Sequence, residues 1–204
     1  MDVKTVQIGA AVRYGWESLK KDFWYFITLL LLVTIITAIP NRLGNSFIFS
    51  LLSLVVSAWL TGGLYHILLE YHAGRKPEIT ALFTQTKHFV NILGGTILVG
   101  LIVIGGLILL IVPGIYWALK YSFTIYLIVD KDMGIMEALH ASGEMTMGIK
   151  GQLFLFGLTA AGIMILGAIC LGVGVFVAMP IVSLAFMWVY RNLPAPAAVI
   201  PAKA

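Results

Sequence analysis

The sequence predicts an all-α integral membrane protein with six transmembrane helices in three hairpins, each hairpin preceded by a cytoplasmic amphipathic interfacial helix. Three observations carry that expectation. Hydrophobic residues make up 60% of the chain and charged residues only 11%, whereas a soluble domain carries about 25% charged residues. Phe23–Asn41, Leu43–Leu69, His88–Leu119 and Gly151–Tyr190 contain no Asp, Glu, Lys or Arg, and about 20 apolar residues suffice to cross a bilayer as helix. Basic residues also fall almost entirely on one side once the spans are placed.

The longest charge-free stretches must each hold two spans. Breaking residues divide the chain into spans at about 22–40, 46–72, 89–112, 114–130, 152–171 and 174–191. Pro40-Asn41 with Gly44-Asn45 marks the turn of the first pair, Pro113-Gly114 that of the second, and Gly172 with Gly174 that of the third. Small residues four apart, which let helices approach closely, occur at Ala58 and Gly62, Gly114 and Ala118, Gly157 and Ala161, and Ala168 and Gly172. Pro180 stands inside the sixth span and predicts a kink, because proline removes a backbone donor.

Before the first, third and fifth spans stands a short segment with apolar residues at helical spacing: Val6–Leu19, Ile79–Phe89 and Ile135–Met147. In the first, Ile8, Ala11, Val12, Gly15, Trp16 and Leu19 make one stripe, the pattern of a helix lying in the headgroup plane. Lys4, Arg13, Lys20, Lys21, Arg75, Lys76, Lys87, Lys131, Lys150, Arg191 and Lys203 then share one face with all nine acidic residues, and only Arg42 lies opposite. Lys and Arg are retained on the cytoplasmic side. The expectation is therefore a multi-pass protein of a bacterial inner membrane with both termini cytoplasmic. Its single membrane domain covers 1–193, and 194–204 forms a flexible Pro/Ala-rich tail. Charges crowd the chain before the first apolar run, unlike a secretory signal. Cys170 is the sole cysteine, so no internal disulfide forms.

Pro113, Gly114, Ile115, Lys120, Tyr121, Ser122, Asp130, Glu137, Ala138, Leu139, Ser142 and Gly148 together resemble a motif of bacterial polytopic inner-membrane proteins, including the membrane domain found beside some glycerophosphodiester phosphodiesterases. The resemblance implies a shared helix order. It implies no activity, because the family has none established and the catalytic phosphodiesterase domain is not in this sequence.

Lys120 is the one charged residue well inside a predicted span, about 9 Å from the Pro-Gly turn at 1.5 Å per residue. Such a residue costs roughly 2.5 to 3.5 kcal/mol at the centre of a membrane helix. Two readings remain open: an anchor snorkelling to the outer interface between Tyr116 and Trp117, or a site for an anionic lipid or substrate group, with Tyr116 and Thr124 four residues either side on the same face. His66, Glu70 and His72 have ligand-like side chains, but His-x-x-x-Glu alone is not a zinc pattern. Glu137, His140, Ser142 and Glu144 do not form a nucleophile with its base, since Ser142 points away from both neighbours on a helix. No phosphate-binding loop or nucleotide fingerprint appears. No metal, cofactor or nucleic acid is expected.

The function expected is non-enzymatic: engagement of the phospholipid bilayer, a protein partner or a second copy through the interfacial helices, with Trp16, Arg13, Glu137 and Ser142 as contacts. The alternative is a small transporter or exporter of an anionic or amphipathic substrate, with Lys120 in its path and Pro113, Gly114 and Pro180 as hinges. A membrane-embedded lipid enzyme ranks last.

Overall fold

A computed structural model describes residues 5–43, 47–84, 88–169 and 173–194. These residues are helical almost throughout: α1 Ile8–Lys21, α2 Phe23–Leu43, α3 Phe47–His72, α4 Phe89–Leu109, α5 Ile111–Lys120, α6 Thr124–Lys131, α7 Ile135–Met145, α8 Lys150–Ile169 and α9 Val173–Asn192. A single 3-10 segment, Ile79–Phe83, follows α3. Five stretches are long and apolar enough to cross a membrane, and α1 with α2 makes a sixth that bends by 97° between them. Gly44-Asn45, Lys87, Cys170, Gly172 and the 195–204 part of the tail lie outside the described residues.

α2 packs on α3, α4 on α5 and α8 on α9. The middle pair is tied at its turn by glycine. A methyl on Gly106 would lie 2.8 Å from the Gly114 Cα and 2.6 Å from the Trp117 ring, so the two helices meet backbone to backbone. That turn falls at Leu110, extended at φ −167° and ψ 149°, rather than at Pro113-Gly114. Pro113 sits in the first turn of α5, where its missing N–H has no helical partner to lose. The Leu110 N–H donates to Gly106 O at 3.0 Å and the Leu110 carbonyl accepts from the Gly114 N–H at 3.4 Å, leaving the turn's own backbone groups satisfied. Pro180 is buried inside α9, which runs through it without a break.

The three preceding segments are not alike. α1 turns sharply from α2 but lies along α9, contacting it more extensively than α2. Its Ala11, Gly15, Ser18 and Leu19 are buried, and a methyl on Gly15 would overlap the Ile181 carbonyl. An apolar stripe fits a neighbouring helix as well as it fits a lipid surface. Before α4, the described residues of the second segment form the 3-10 turn Ile79–Phe83, pressed so closely on α3 that a methyl on Gly63 would overlap the Leu82 carbonyl. The third is α7, with Ala138, Leu139, Ala141, Ser142, Gly143 and Met145 buried.

The fourth expected span is two helices. α5 ends at Lys120, α6 begins at Thr124, and Tyr121–Phe123 form a turn between them. α6 then carries the centre of the buried core: Phe123, Tyr126, Leu127 and Ile128 are at most 2% exposed. Tyr126 stacks on Tyr65 from α3 at 4.0 Å and on Tyr190 from α9 at 5.1 Å. Charges fasten this end. Asp130 accepts from Tyr190 Oη at 2.8 Å and pairs with Arg191 at 2.9 Å, while Asp22 binds Lys76 and accepts from Tyr71 Oη at 2.8 Å. The Lys76 ammonium, and then the Tyr71 hydroxyl, hold the Asp22 carboxyl below the usual carboxylate range.

The opposite end is exposed hydrocarbon. Ile108 to Val112 at the α4–α5 turn, Leu158, Ile165, Leu166 and Ile169 on α8, and Ile35 and Ile39 on α2 all face outward. A contiguous apolar surface of this kind marks contact with lipid or another chain. Trp24, 78% exposed just after Asp22, stands where an interfacial aromatic would.

Candidate functional site

The break between α5 and α6 builds the site. In a continuous helix the Phe123 amide would bond to the Leu119 carbonyl, and the Thr124 amide to the Lys120 carbonyl. Here Ser122 Oγ donates to Leu119 O at 3.0 Å. Lys120 O accepts instead from Ser142 Oγ at 2.9 Å and lies 3.3 Å from Thr146 Oγ1, while the Phe123 amide donates to Ser142 Oγ at 3.2 Å. Two hydroxyls of the α7 region thus replace the bonds the break removes. Non-helical backbone at membrane depth persists only where protein satisfies it in this way.

That clamp places Lys120 beside α7. A methyl on Gly143 would lie 3.0 Å from Lys120 Cε, so the absent side chain is the room the lysine occupies. The Lys120 ammonium stands 5.1 Å from the Tyr121 ring centre. Lys150, the first residue of α8, donates to Tyr116 Oη at 3.0 Å and lies 4.5 Å from that ring's centre. Lys120, Lys150, Tyr116 and Tyr121 line one cleft of about 520 Å³, with Glu144 and His140 of α7 also lining it. Leu98 and Ile102 of α4, with Met136, Leu139 and Met147, supply apolar wall.

Arg13, Arg75, Lys76, Lys131 and Arg191 each pair with a carboxylate. Among the described residues no carboxylate stands at ion-pair distance from Lys120 or Lys150. The His140 Nδ1 and Glu144 Oε1 atoms lie 3.5 Å apart. Lys120 thus lies beside α7 and the start of α8.

Of the residues singled out from the sequence, Tyr116 and Lys120 meet in the cleft and Thr124 does not. The break rotates Thr124 off their shared face, leaving it fully buried with Oγ1 unbonded among the described residues. Ser142 is buried and holds the break rather than a surface contact. Glu137 caps α7, accepting from the Gly134 amide at 3.3 Å. Arg13 forms an exposed pair with Glu17 at 2.7 Å, and Trp16 is 46% exposed with the Lys20 ammonium 5.6 Å from its ring. Neither Arg13 nor Trp16 lines the cleft. In the sequence Lys150 reads only as one of the one-sided basic residues, because its charge sits at the foot of a span, where basic residues are ordinary.

His66, Glu70 and His72 do not converge. Glu70 binds Arg75 at 2.5 Å, and His72 Nδ1 lies 3.1 Å from Tyr14 Oη. Among the described residues no group of His, Cys, Asp and Glu is placed to hold a metal ion.

With the cleft residues in view, the comparisons divide along the chain. Residues 97–196 match DUF975, a family of proteins of unknown function. The DUF975 match begins within α4 and takes in the helix break, both lysines, α7, α8 and α9. It replaces the phosphodiesterase-associated membrane domain as the family this stretch is similar to. Uncharacterized proteins of Mycobacterium bovis and of Mycobacterium tuberculosis are each 25% identical over 151 residues, 74% of this chain and 45% of theirs. The chain thus spans less than half the length of these relatives. No solved structure matches it.

Proposed function

We propose that this is a non-enzymatic protein of a bacterial inner membrane that engages phospholipids at its charged, cytoplasmic side. The observation that carries this reading is the cleft in which Lys120 and Lys150 converge without a carboxylate partner, beside the apolar wall of Leu98, Ile102, Met136 and Met147. Two unpaired ammonium groups favour an anionic ligand, since leaving a charge unpartnered in a partly desolvated site is costly. The apolar wall favours a ligand with hydrocarbon attached.

The orientation rests on the one-sided basic residues and places both termini in the cytoplasm. The hydroxyls of Ser142 and Thr146 are engaged with backbone, which supports a structural rather than a nucleophilic role for them. Export of an amphipathic substrate is the second reading, and it shares Lys120. Purification from native membrane, followed by mass spectrometry of the extracted lipids, tests the first. The wild type should retain phospholipid above an unrelated six-span control, and Lys120→Met should lose most of that excess. Equal retention by the variant, together with loss of substrate flux, would move Lys120 to the export reading.

A further inference from the structure

Resting on the lipid-engaging reading, we propose that the Lys120–Lys150 cleft selects a lipid phosphomonoester, the headgroup of a phosphatidic acid, over lipids whose phosphate is a diester. Convergence is the first argument. Lys150 donates to Tyr116 Oη at 3.0 Å, and the Lys120 ammonium lies within electrostatic reach of the same hydroxyl. One tyrosine oxygen therefore ties both ammonium groups to one spot in the cleft. Both lysines are half-buried, and among the described residues neither has a carboxylate at ion-pair distance. Glu144, in contact with His140 at 3.5 Å and engaged in a further interaction, is not needed to hold the phosphate.

Charge is the second. A phosphomonoester carries about −1.5 to −2 at pH 7, enough to meet both ammonium groups at one phosphorus, and neighbouring cations favour its fully ionised form. A phosphodiester brings a single negative charge and one terminal oxygen fewer. It leaves the second ammonium unpartnered, which is costly in a partly desolvated cleft, and a fatty acid falls short in the same way. A lipid with two phosphodiesters matches the charge, but on phosphorus atoms held apart, whereas the two lysines converge on one hydroxyl. Tyr116, having accepted from Lys150, keeps its own O–H to donate to a phosphate oxygen. The wall of Leu98, Ile102, Met136 and Met147 suits acyl chains, which a soluble phosphate monoester lacks.

Native mass spectrometry of the full chain in nanodiscs tests this, with a phosphatidylcholine matrix doped equally with phosphatidic acid, phosphatidylmethanol, cardiolipin and oleate. Phosphatidylmethanol differs from phosphatidic acid by one methyl ester, which removes the second ionisation and hardly changes the size. The wild type should retain phosphatidic acid about tenfold over phosphatidylmethanol, the scale of one charge-assisted hydrogen bond, and that comparison depends on no variant's folding. Lys150→Met, which leaves one ammonium in the cleft, should bring the ratio within about twofold. Glycerol 3-phosphate added in equal amount should leave the phosphatidic acid bound. Phosphatidylmethanol, cardiolipin or oleate retained as well as phosphatidic acid, or an undiminished ratio in a folded Lys150→Met protein, would overturn the proposal while leaving lipid engagement standing. Displacement by glycerol 3-phosphate would assign the cleft to a soluble phosphate monoester and overturn the lipid ligand. No retention of any lipid above an unrelated six-span control would overturn both readings.

Discussion

Around Tyr126 the side chains of Phe123, Leu127, Ile128 and Tyr190 are enclosed, whereas from Ile108 to Val112 each is at least 69% exposed. The first region is built on aromatic rings and the second on aliphatic side chains alone, and they are held by different physics. Near Tyr126, stacked rings from α3, α6 and α9 exclude solvent, and ion pairs at Asp22 and Asp130 close the periphery. This is packing of the kind found in soluble cores, where burial and polar satisfaction act together. At the α4–α5 turn, the backbone satisfies its own hydrogen bonds and the side chains are left to the surroundings. Hydrocarbon removes the hydrophobic drive between helices, so close glycine contact replaces side-chain interlock there. The Lys120 cleft lies where the two regimes meet.

The comparison breaks most directly at Tyr126. Tyr126→Ala should cost about 3–5 kcal/mol, as for other large buried aromatics, seen as a collapse of the thermal unfolding midpoint in detergent. Gly63→Ala comes next. Its methyl would overlap the Leu82 carbonyl, and overpacking against backbone costs roughly 1–3 kcal/mol or more. Ser142→Ala should cost about 1–3 kcal/mol by orphaning the Phe123 amide and removing a donor from Lys120 O, and hydrogen exchange should rise at Phe123 before it rises in α8.

A smaller effect is expected at the Asp22–Lys76 pair. Because the folded-state pKa of Asp22 is lowered, its stabilisation is present above the ordinary carboxylate pKa of about 3.9 and is lost as pH falls through the lower folded value. Asp22→Asn should therefore flatten the acid limb of the stability curve, and an unchanged limb would deny the pair that role. The smallest effect belongs to the outer region. Gly157→Ala meets nothing within 4 Å and should leave the unfolding midpoint unchanged or slightly raised by helix propensity. A loss comparable to that of Gly63→Ala would show that the outer helices pack against something further.

Much of this contrast can be read from residue order. Charge-free runs locate α2, α3, α8 and α9 to within a few residues, because lipid demands length and apolarity and little else. Lys120 and Tyr116 also stand out, as polar groups in an apolar run. The break at Tyr121–Phe123 does not, for it contains neither glycine nor proline. The groups that satisfy it, Ser142 and Thr146, stand about twenty residues onward, and a distant hydroxyl leaves no local mark. Thr124 was misplaced for the same reason, since four-residue spacing holds only on an unbroken helix. The stripe on α1 was visible, but periodicity reports that a face is covered without saying by what. The small pairs divide likewise: Ala58 and Gly62 are buried, while Gly157 and Ala161 are exposed.

The most direct test of the central claim is photocrosslinking in native-lipid nanodiscs with a phospholipid carrying a diazirine close to the glycerol, followed by peptide mapping. Lipid held in the cleft should label the Leu98–Ile102 and Met136–Met147 segments above the exposed residues of α8, and that excess should vanish in Lys120→Met. Labelling spread evenly over the lipid-facing helices, or a cleft signal unchanged by Lys120→Met, would contradict it.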